Sequence, residues 1–433
     1  MDSVATRLLL GDNPWIDDPA QWETSIRARL PAEYIPRQLE ERLRSEGLVK
    51  NKACLVIGPR QAGKSTLAWH TILALRLDAL VVNCEEPALR SLCGSPGIFM
   101  QEMQPLIDRA SVLFLEEVQH LEDAGLFIKG IVDRKPGVPV LVTGSAGYDL
   151  MARTRESLAG RAIRLTLLPL SLGEATDRLS NLPPPVRELK LDESWQELAV
   201  FGGFPEVRTS AEKELILSRL VDAFLYRDAS DLYGIERPDA FRSLVELLAR
   251  QIGNLMNVAE YASICEVSRG TVSSYLGILE DSHALRMVPP FFGGKRAELT
   301  HRHKFYFVDC GLRNAVLGTF TEWSGRTDQG PLLENWVCSE LLKAISPRDT
   351  LRYWRSKSGA EVDFVVQQGE TLLGLEVKAQ AMSRPRLPRS SRSFIQAYEP
   401  AQFLVVNTGL EHEEVLGRTQ VLWIRPFQIA ELV

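Results

Sequence analysis

The stretch Gly58-Pro-Arg-Gln-Ala-Gly-Lys-Ser65 constrains this chain more than any other, because it fits G-x-x-x-x-G-K-[ST] at every fixed position. The apolar run Ala53–Ile57 precedes it and reads as a strand. Thr66–Leu75 follows without Pro or Gly and reads as a helix. In that setting the backbone carries the chemistry. Gly58 and Gly63 let the chain wrap tightly, so that successive N–H groups point at one anion. The start of the following helix adds partial positive charge. Gly58, Pro59, Arg60, Gln61, Ala62, Gly63, Lys64, Ser65 and Thr66 are therefore expected to cradle nucleotide phosphates, with Lys64 at the β- and γ-phosphates and the Ser65 hydroxyl on Mg²⁺. The plain alternative, a glycine turn that fits by coincidence, is disfavoured by the flanks.

The rest of the N-terminal part supplies partners for such a loop. Leu80–Asn83 reads as a second buried strand, and Ser111–Leu115 as a third that runs directly into Glu116-Glu117. The first carboxylate suits the Mg²⁺ shell and the second suits an attacking water. Glu116 stands where the shorter Asp is usual, which moves its carboxylate outward by about 1.5 Å. An exposed acidic loop is the alternative. Pro139–Thr143 is a fourth strand and brings Thr143 and Ser145 toward the γ-phosphate position. Arg161 could neutralise charge on the transferred phosphate, with Arg153 and Arg155 as competitors, against the alternative of an ordinary surface arginine. Pro36–Arg44 reads as a lead-in helix that packs on the sheet edge. Four strands alternating with helices point to a parallel sheet covered on both faces.

At 433 residues the chain is long enough for several domains. Its net charge of −6 excludes a global field for nucleic acid, so any such site must be a local basic patch. Six scattered cysteines without metal-ligand spacing argue against zinc and for a reducing compartment. The start lacks signal-peptide character and no apolar run reaches the ~20 residues of a membrane span. A cytoplasmic protein with no membrane partner is expected.

Downstream, Leu182-Pro-Pro-Pro-Val186 marks a break. Gly202 and Gly203 are expected to serve backbone geometry, and Arg227 to form a salt bridge or reach the nucleotide. Phe241–Ile252, Asn257–Ile264 and Thr271–Glu280 read as helices, the last N-capped by Ser268. Leu285–Val288 and Phe305–Val308 then read as a hairpin, so the order is that of a winged helix-turn-helix. Thr271, Ser273, Ser274 and Tyr275 are expected to face a groove. Lys295, Arg296, His301, Arg302, His303 and Lys304, against Glu298, would place basic charge on the wing. A protein-binding module is the alternative to DNA binding.

In the last third, Leu332–Lys343 reads as a helix, followed by strands Arg352–Trp354, Glu361–Val366 and Leu372–Lys378. Period-2 geometry puts Glu361 with Asp363, and Glu376 with Lys378, on common faces. Asp363 and Glu376 could hold Mg²⁺ while Lys378 orients a water, the apparatus of phosphodiester hydrolysis. Glu334 could join from the helix. A solvated charged face is the alternative. Arg384, Arg386, Arg389 and Arg392 are expected in an exposed loop able to grip a phosphate backbone.

The combination Gly58–Ser65, Leu115-Glu-Glu117 and Thr143-Gly-Ser145 resembles the AAA-type ATPases. Arg161 in Leu158-Ala-Gly-Arg161 and the Gly203-Phe-Pro-Glu206 turn resemble one bacterial and archaeal branch, whose members carry a C-terminal domain of unknown function. Tyr306–Leu312, Glu334-Asn335, Tyr353-Trp-Arg355 and Glu361–Phe364 extend the resemblance to about residues 35–425. Asp363 and Glu376-Val-Lys378 resemble the PD-(D/E)xK nucleases. The expected architecture is α/β: a P-loop ATPase domain with its lead-in (1–180), a helical linker (181–235), a winged helix-turn-helix (236–310) and a restriction-endonuclease-like domain (311–433). The resemblance implies ATP and Mg²⁺ as cofactors, DNA as partner and compatibility with a homo-oligomer. Two functional readings stand: an ATPase coupled to nucleic-acid binding and Mg²⁺-dependent cutting, or a slow nucleotide-controlled switch with a non-cutting C-terminal domain.

Overall fold

The computed structural model describes residues 3–145, 158–227, 234–293 and 302–429. The chain divides into two compact units, Met1–Pro169 with Asp281–His283, and Leu170–Glu280 with Ala284–Val433.

In the first unit five strands pair in parallel among the described residues: β1 (Ala53–Gly58), β2 (Ala79–Asn83), β3 (Val112–Glu116), β4 (Val140–Ser145) and β5 (Ala162–Thr166), in the order β2-β3-β4-β1-β5. The residues of β1 to β4 are almost continuously buried, as a sheet covered on both faces requires. Alternation splits each strand between two cores. Leu55, Ile57, Leu113, Leu115, Val140 and Val142 face one, while Cys54, Val56, Phe114, Leu141 and Leu165 face the other. The β2 edge is closed by Asn13, whose carboxamide bonds both the N–H and the C=O of Val81. Four of the strands match the sequence expectation. The fifth is a correction: Ala162–Thr166 is half-buried on the far side of β1 and lacks the long apolar run of its neighbours.

The second unit opens with the helix Pro184–Phe201, whose first turn holds the proline run; Pro at the first helical positions loses no hydrogen bond. The glycines after it are geometric. A Cβ on Gly202 would sit 2.0 Å from Asp309 Oδ1, and the Gly203 N–H donates to Asp309 Oδ2 at 2.7 Å. Helices Pro238–Arg250, Val258–Ile264 and Arg269–Asp281 follow, then the antiparallel pair β6 (Leu285–Val288) and β7 (Lys304–Phe307). Ser268 caps the third helix through the Thr271 N–H at 3.0 Å. Tyr275, expected in a groove, is instead 5% exposed and edge-on to Phe241, because it shares the helix face of Val272 and Leu279. Lys295, Arg296, Glu298 and His301 lie outside the described residues, as do Arg153, Arg155 and the Arg227 side chain.

The helix Gln329–Ala344 then packs on a mixed sheet, six-stranded among the described residues, of β8 (Thr350–Arg355), β9 (Glu361–Gln368), β10 (Thr371–Lys378), β11 (Gln402–Asn407), β12 (His412–Leu416) and β13 (Thr419–Ile424), in the order β12-β13-β11-β10-β9-β8. Strands β8 to β10 are antiparallel neighbours, and β11 runs parallel to both β10 and β13. Arg389 and Arg392 do not lie in a loop: they open the helix Arg389–Tyr398, which buries Phe394 and Ile395 beneath them. Among the described residues no helix is long and apolar enough to cross a membrane.

Candidate functional site

At the end of β1 the chain comes so close to the segment after β5 that a Cβ on Gly58 would lie 2.0 Å from the Leu167 carbonyl oxygen. The loop turns through Gln61 (φ 59°) and Gly63 (φ 92°) into the helix Lys64–Leu75. Among the described residues no side chain caps that helix, so its first-turn N–H groups face the loop and suit an anion. Arg37, buried, braces the loop by donating to the Ala62 carbonyl at 2.8 Å and the Leu168 carbonyl at 2.5 Å. Lys64 is 5% exposed and donates to the Pro59 carbonyl at 2.9 Å. Burial pushes its ammonium down to about 8, against the pull of the Glu117 carboxylate.

Glu116 closes β3. Burial raises its pKa, and a hydrogen bond from the Ser65 hydroxyl works the other way. That hydroxyl and carboxylate are the hard oxygen donors Mg²⁺ takes, so the residues fit the ion. Glu117 follows at φ 55°; its N–H donates to Thr143 Oγ1 at 3.4 Å and its carboxylate accepts from Gln119 Nε2. Gln119 also accepts the Ser145 N–H at 3.0 Å. Thr143 is fully buried, with its hydroxyl engaged by Glu117. Ser145 pairs with Gly58 across the sheet, and its buried hydroxyl has no hydrogen-bond partner among the described residues. Of the two, Ser145 is the hydroxyl still available beside the phosphate loop.

Arg161 is not near this end of the sheet. Its carbonyl accepts the N–H of Ala53, the first residue of β1, whereas the loop begins at Gly58. Five residues of strand separate the two, about 16 Å. Its side chain pairs with Asp133 at 2.5 Å, both half-exposed. The physical reason is β5 itself: Arg161 immediately precedes a strand parallel to β1, so it sits where that strand starts.

The second unit gathers the other expected residues, with one addition. Asp363 and Glu376 are neighbours, and burial together with Glu334 and Glu376 pushes the Asp363 pKa well above the usual range. Asp363 Oδ2 accepts the Val377 N–H at 2.8 Å where the β9–β10 ladder ends. Glu376 accepts from Lys378 at 2.5 Å and from the Ser391 hydroxyl at 3.2 Å. Lys304 enters from β7. It is not a solvated wing residue but is 4% exposed at the side chain, with Nζ 3.0 Å from Glu334 Oε1, 2.6 Å from Glu361 Oε1 and 4.0 Å from Asp363 Oδ1. Burial opposes its charge, but these three carboxylates outweigh that and raise its pKa. Tyr306, two residues on and on the same face, donates to Glu334 Oε1 at 2.6 Å. Among the described residues no three His, Cys, Asp or Glu side chains are gathered so as to hold a metal ion. Where Asp363 and Glu376 are expected to hold Mg²⁺, the structure also places an ammonium: Lys304 Nζ lies 4.0 Å from Asp363 Oδ1.

Arg37 and Gln119 are not legible as site residues because neither is read from a motif, while Lys304 reads as a wing residue and Tyr306 only as part of the Tyr306–Leu312 resemblance, neither as a partner of the carboxylates. A lysine opening a strand of otherwise aromatic residues, Lys304-Phe-Tyr-Phe307, was the one available signal.

A glycine-wrapped loop between strand and helix, faced by two carboxylates from the end of β3, one strand removed from β1, defines a P-loop nucleotide-binding domain. Residues 50–176 match the model of an AAA domain, which supports an AAA-type P-loop ATPase domain in this part of the chain. Residues 192–322 and 329–427 match two models described as domains of unknown function, DUF8612 and DUF4143. An uncharacterised protein of Mycobacterium tuberculosis is 28% identical over 395 residues, 89% of this chain and 82% of the relative. An uncharacterised protein of Methanocaldococcus jannaschii is 23% identical over 348 residues, 77% of this chain and 75% of the relative. Among solved structures, the Walker-type ATPase PABY2304 of Pyrococcus abyssi aligns with a TM-score of 0.46 and 15% identity, covering 66% of this chain and 97% of that one.

Proposed function

We infer that the chain binds and hydrolyses ATP at the Gly58–Ser65 loop. The observation that carries this is the meeting of Ser65 and Glu116 at the uncapped start of the helix Lys64–Leu75, with Lys64 and Glu117 beside them. Lys64 would hold the β- and γ-phosphates, Ser65 and Glu116 the Mg²⁺, and Glu117 the attacking water. Bound there, Mg²⁺ would supply charge neutralisation on the transferred phosphoryl group. Gln119 keeps the Glu117 carboxylate aimed and also holds the Ser145 backbone. Glu117→Gln should keep ATP binding and lower turnover by at least about 100-fold. Failure of the wild-type chain to bind ATP would end this reading.

The longer Glu116 favours slow turnover, so a nucleotide-controlled switch is the form of the reading we prefer; rapid multiple turnover would exclude it. The three helices and the β6–β7 pair we read as a winged helix-turn-helix within residues 236–310, and residues 311–433 as a nuclease-like scaffold. Lys304 among its carboxylates favours a scaffold that binds rather than cuts. DNA is the partner that the exposed Arg384, Arg386, Arg389 and Arg392 suit, since together they form a basic surface able to meet phosphates. The domain limits, the cytoplasmic location and assembly into a homo-oligomer remain parts of the same proposal.

A further inference from the structure

We propose that the Lys304 ammonium is the resident cation of the Glu334–Glu361–Asp363 cluster: it fills the position a divalent metal would need, so the native chain takes up no metal through Asp363. The inference concerns the second unit and does not depend on the ATPase reading.

Three part-buried carboxylates, one from the helix Gln329–Ala344 and two from β9, lie around one ammonium that is itself nearly closed to solvent. Buried acids that close repel one another unless a cation stands between them. The ammonium answers that need with its charge and with donors within hydrogen-bond reach of two of the acids. Its Nζ sits 2.6 Å and 3.0 Å from two of them and 4.0 Å from the third. Several of the remaining oxygens are already committed. Glu361 Oε2 accepts from Arg355 at 3.0 Å, Asp363 Oδ2 from the Val377 N–H at 2.8 Å, and Glu334 Oε1 also from Tyr306 at 2.6 Å. Glu376 has Lys378 on one oxygen and Ser391 on the other. A Mg²⁺ ion needs oxygen ligands at about 2.0–2.1 Å and in octahedral array. To sit among these acids it would have to displace the ammonium, whose own charge repels it.

The same logic says what happens when the ammonium is removed. An uncompensated group of buried acids is unstable, and a hard divalent cation is the species best able to restore balance. Lys304→Met keeps the length and apolar stem of the side chain but removes its charge. It should create a divalent-cation site that the native chain does not have, while Lys304→Met/Asp363→Asn should lose that site again.

The test is Mn²⁺ titration of the nucleotide-free full-length chain, following free Mn²⁺ by electron paramagnetic resonance. Wild type and Asp363→Asn should give superimposable curves, because any ion held at the phosphate loop is common to both. Lys304→Met should bind about one further Mn²⁺ per chain, and the double variant should return to the wild-type curve. A wild-type chain that binds an ion lost in Asp363→Asn overturns the proposal. So does a Lys304→Met chain, shown folded by circular dichroism, whose titration matches wild type. Should Lys304→Met fail to fold, the comparison of wild type with Asp363→Asn still decides: superimposable curves support the proposal and a lost ion refutes it.

Discussion

Lys64 has two demands to meet, and they pull in opposite directions. It must be charged to hold phosphates, yet it is buried against its own loop, and that burial lowers its pKa to about 8. Phosphate oxygens would restore the charge, so binding ATP raises the affinity of Lys64 for its proton. The sign follows from linkage. Below about pH 8 the ammonium is already protonated, and ATP binding moves no proton there. Above it, binding must take a proton up, and the apparent dissociation constant should rise about tenfold per pH unit. Equilibrium titration with ATP and Mg²⁺ at pH 7.5 and 9.5 checks this, with Lys64→Arg expected to show a flat profile over the same interval because an arginine does not deprotonate there. A wild-type affinity unchanged between the two pH values would mean that Lys64 meets no phosphate. Glu117 and Ser65 could be named from their motif alone, because their roles follow from spacing. Lys304 could not, because its meaning depends on which residues lie across from it in space.

At the scale of elements, β7 shows how the second unit places its acids. The buried Asn335 behaves as a strand neighbour to β7: its Oδ1 accepts the Phe307 N–H at 2.8 Å and its Nδ2 donates to the Phe307 carbonyl at 3.0 Å. Glu334, one residue earlier on the same helix, thereby arrives at Lys304 and Tyr306. Asn335→Leu would leave a buried N–H and a buried C=O of Phe307 without this partner. It should cost about 2–6 kcal/mol, since each unsatisfied backbone group costs about 1–3 kcal/mol. Urea unfolding of the full chain measures the loss; a change below about 0.5 kcal/mol would show that β7 is held by other contacts. The elements that were legible from sequence share a simple property. Strands β1 to β4 are apolar runs and the helix Pro238–Arg250 is strongly two-faced, so periodicity alone betrays them. The half-buried β5 and the Arg-rich start of the helix Arg389–Tyr398 carry little apolar pattern of their own, and neighbours decide their state. Tyr275 failed for a related reason: a hydroxyl on an aromatic ring suits a groove and a core equally well, and only Phe241 across from it settles the matter.

For the molecule as a whole the governing quantity is charge. A net charge of −6 repels nucleic acid at long range, so contact with a phosphate backbone has to come from arginines close together. Arg384, Arg386, Arg389 and Arg392 are all exposed, and the last two share one helix at i, i+3 spacing over the buried Phe394 and Ile395. The same helix delivers the buried Ser391 to Glu376 from its inner face. If DNA is the partner, each arginine that meets a phosphate releases counterions, and the affinity must fall with salt in proportion to the number of contacts. Arg389→Glu/Arg392→Glu should then weaken binding to duplex DNA by at least about tenfold at 50 mM salt. It should also reduce the slope of log K against log salt by about 2, uniformly across sequences, because phosphate contacts carry no base information. Fluorescence anisotropy over a salt series reads both quantities. An unchanged slope would place any DNA contact elsewhere and leave these arginines as solvated charge, while a slope that changes only for particular sequences would mean that they read bases instead of backbone.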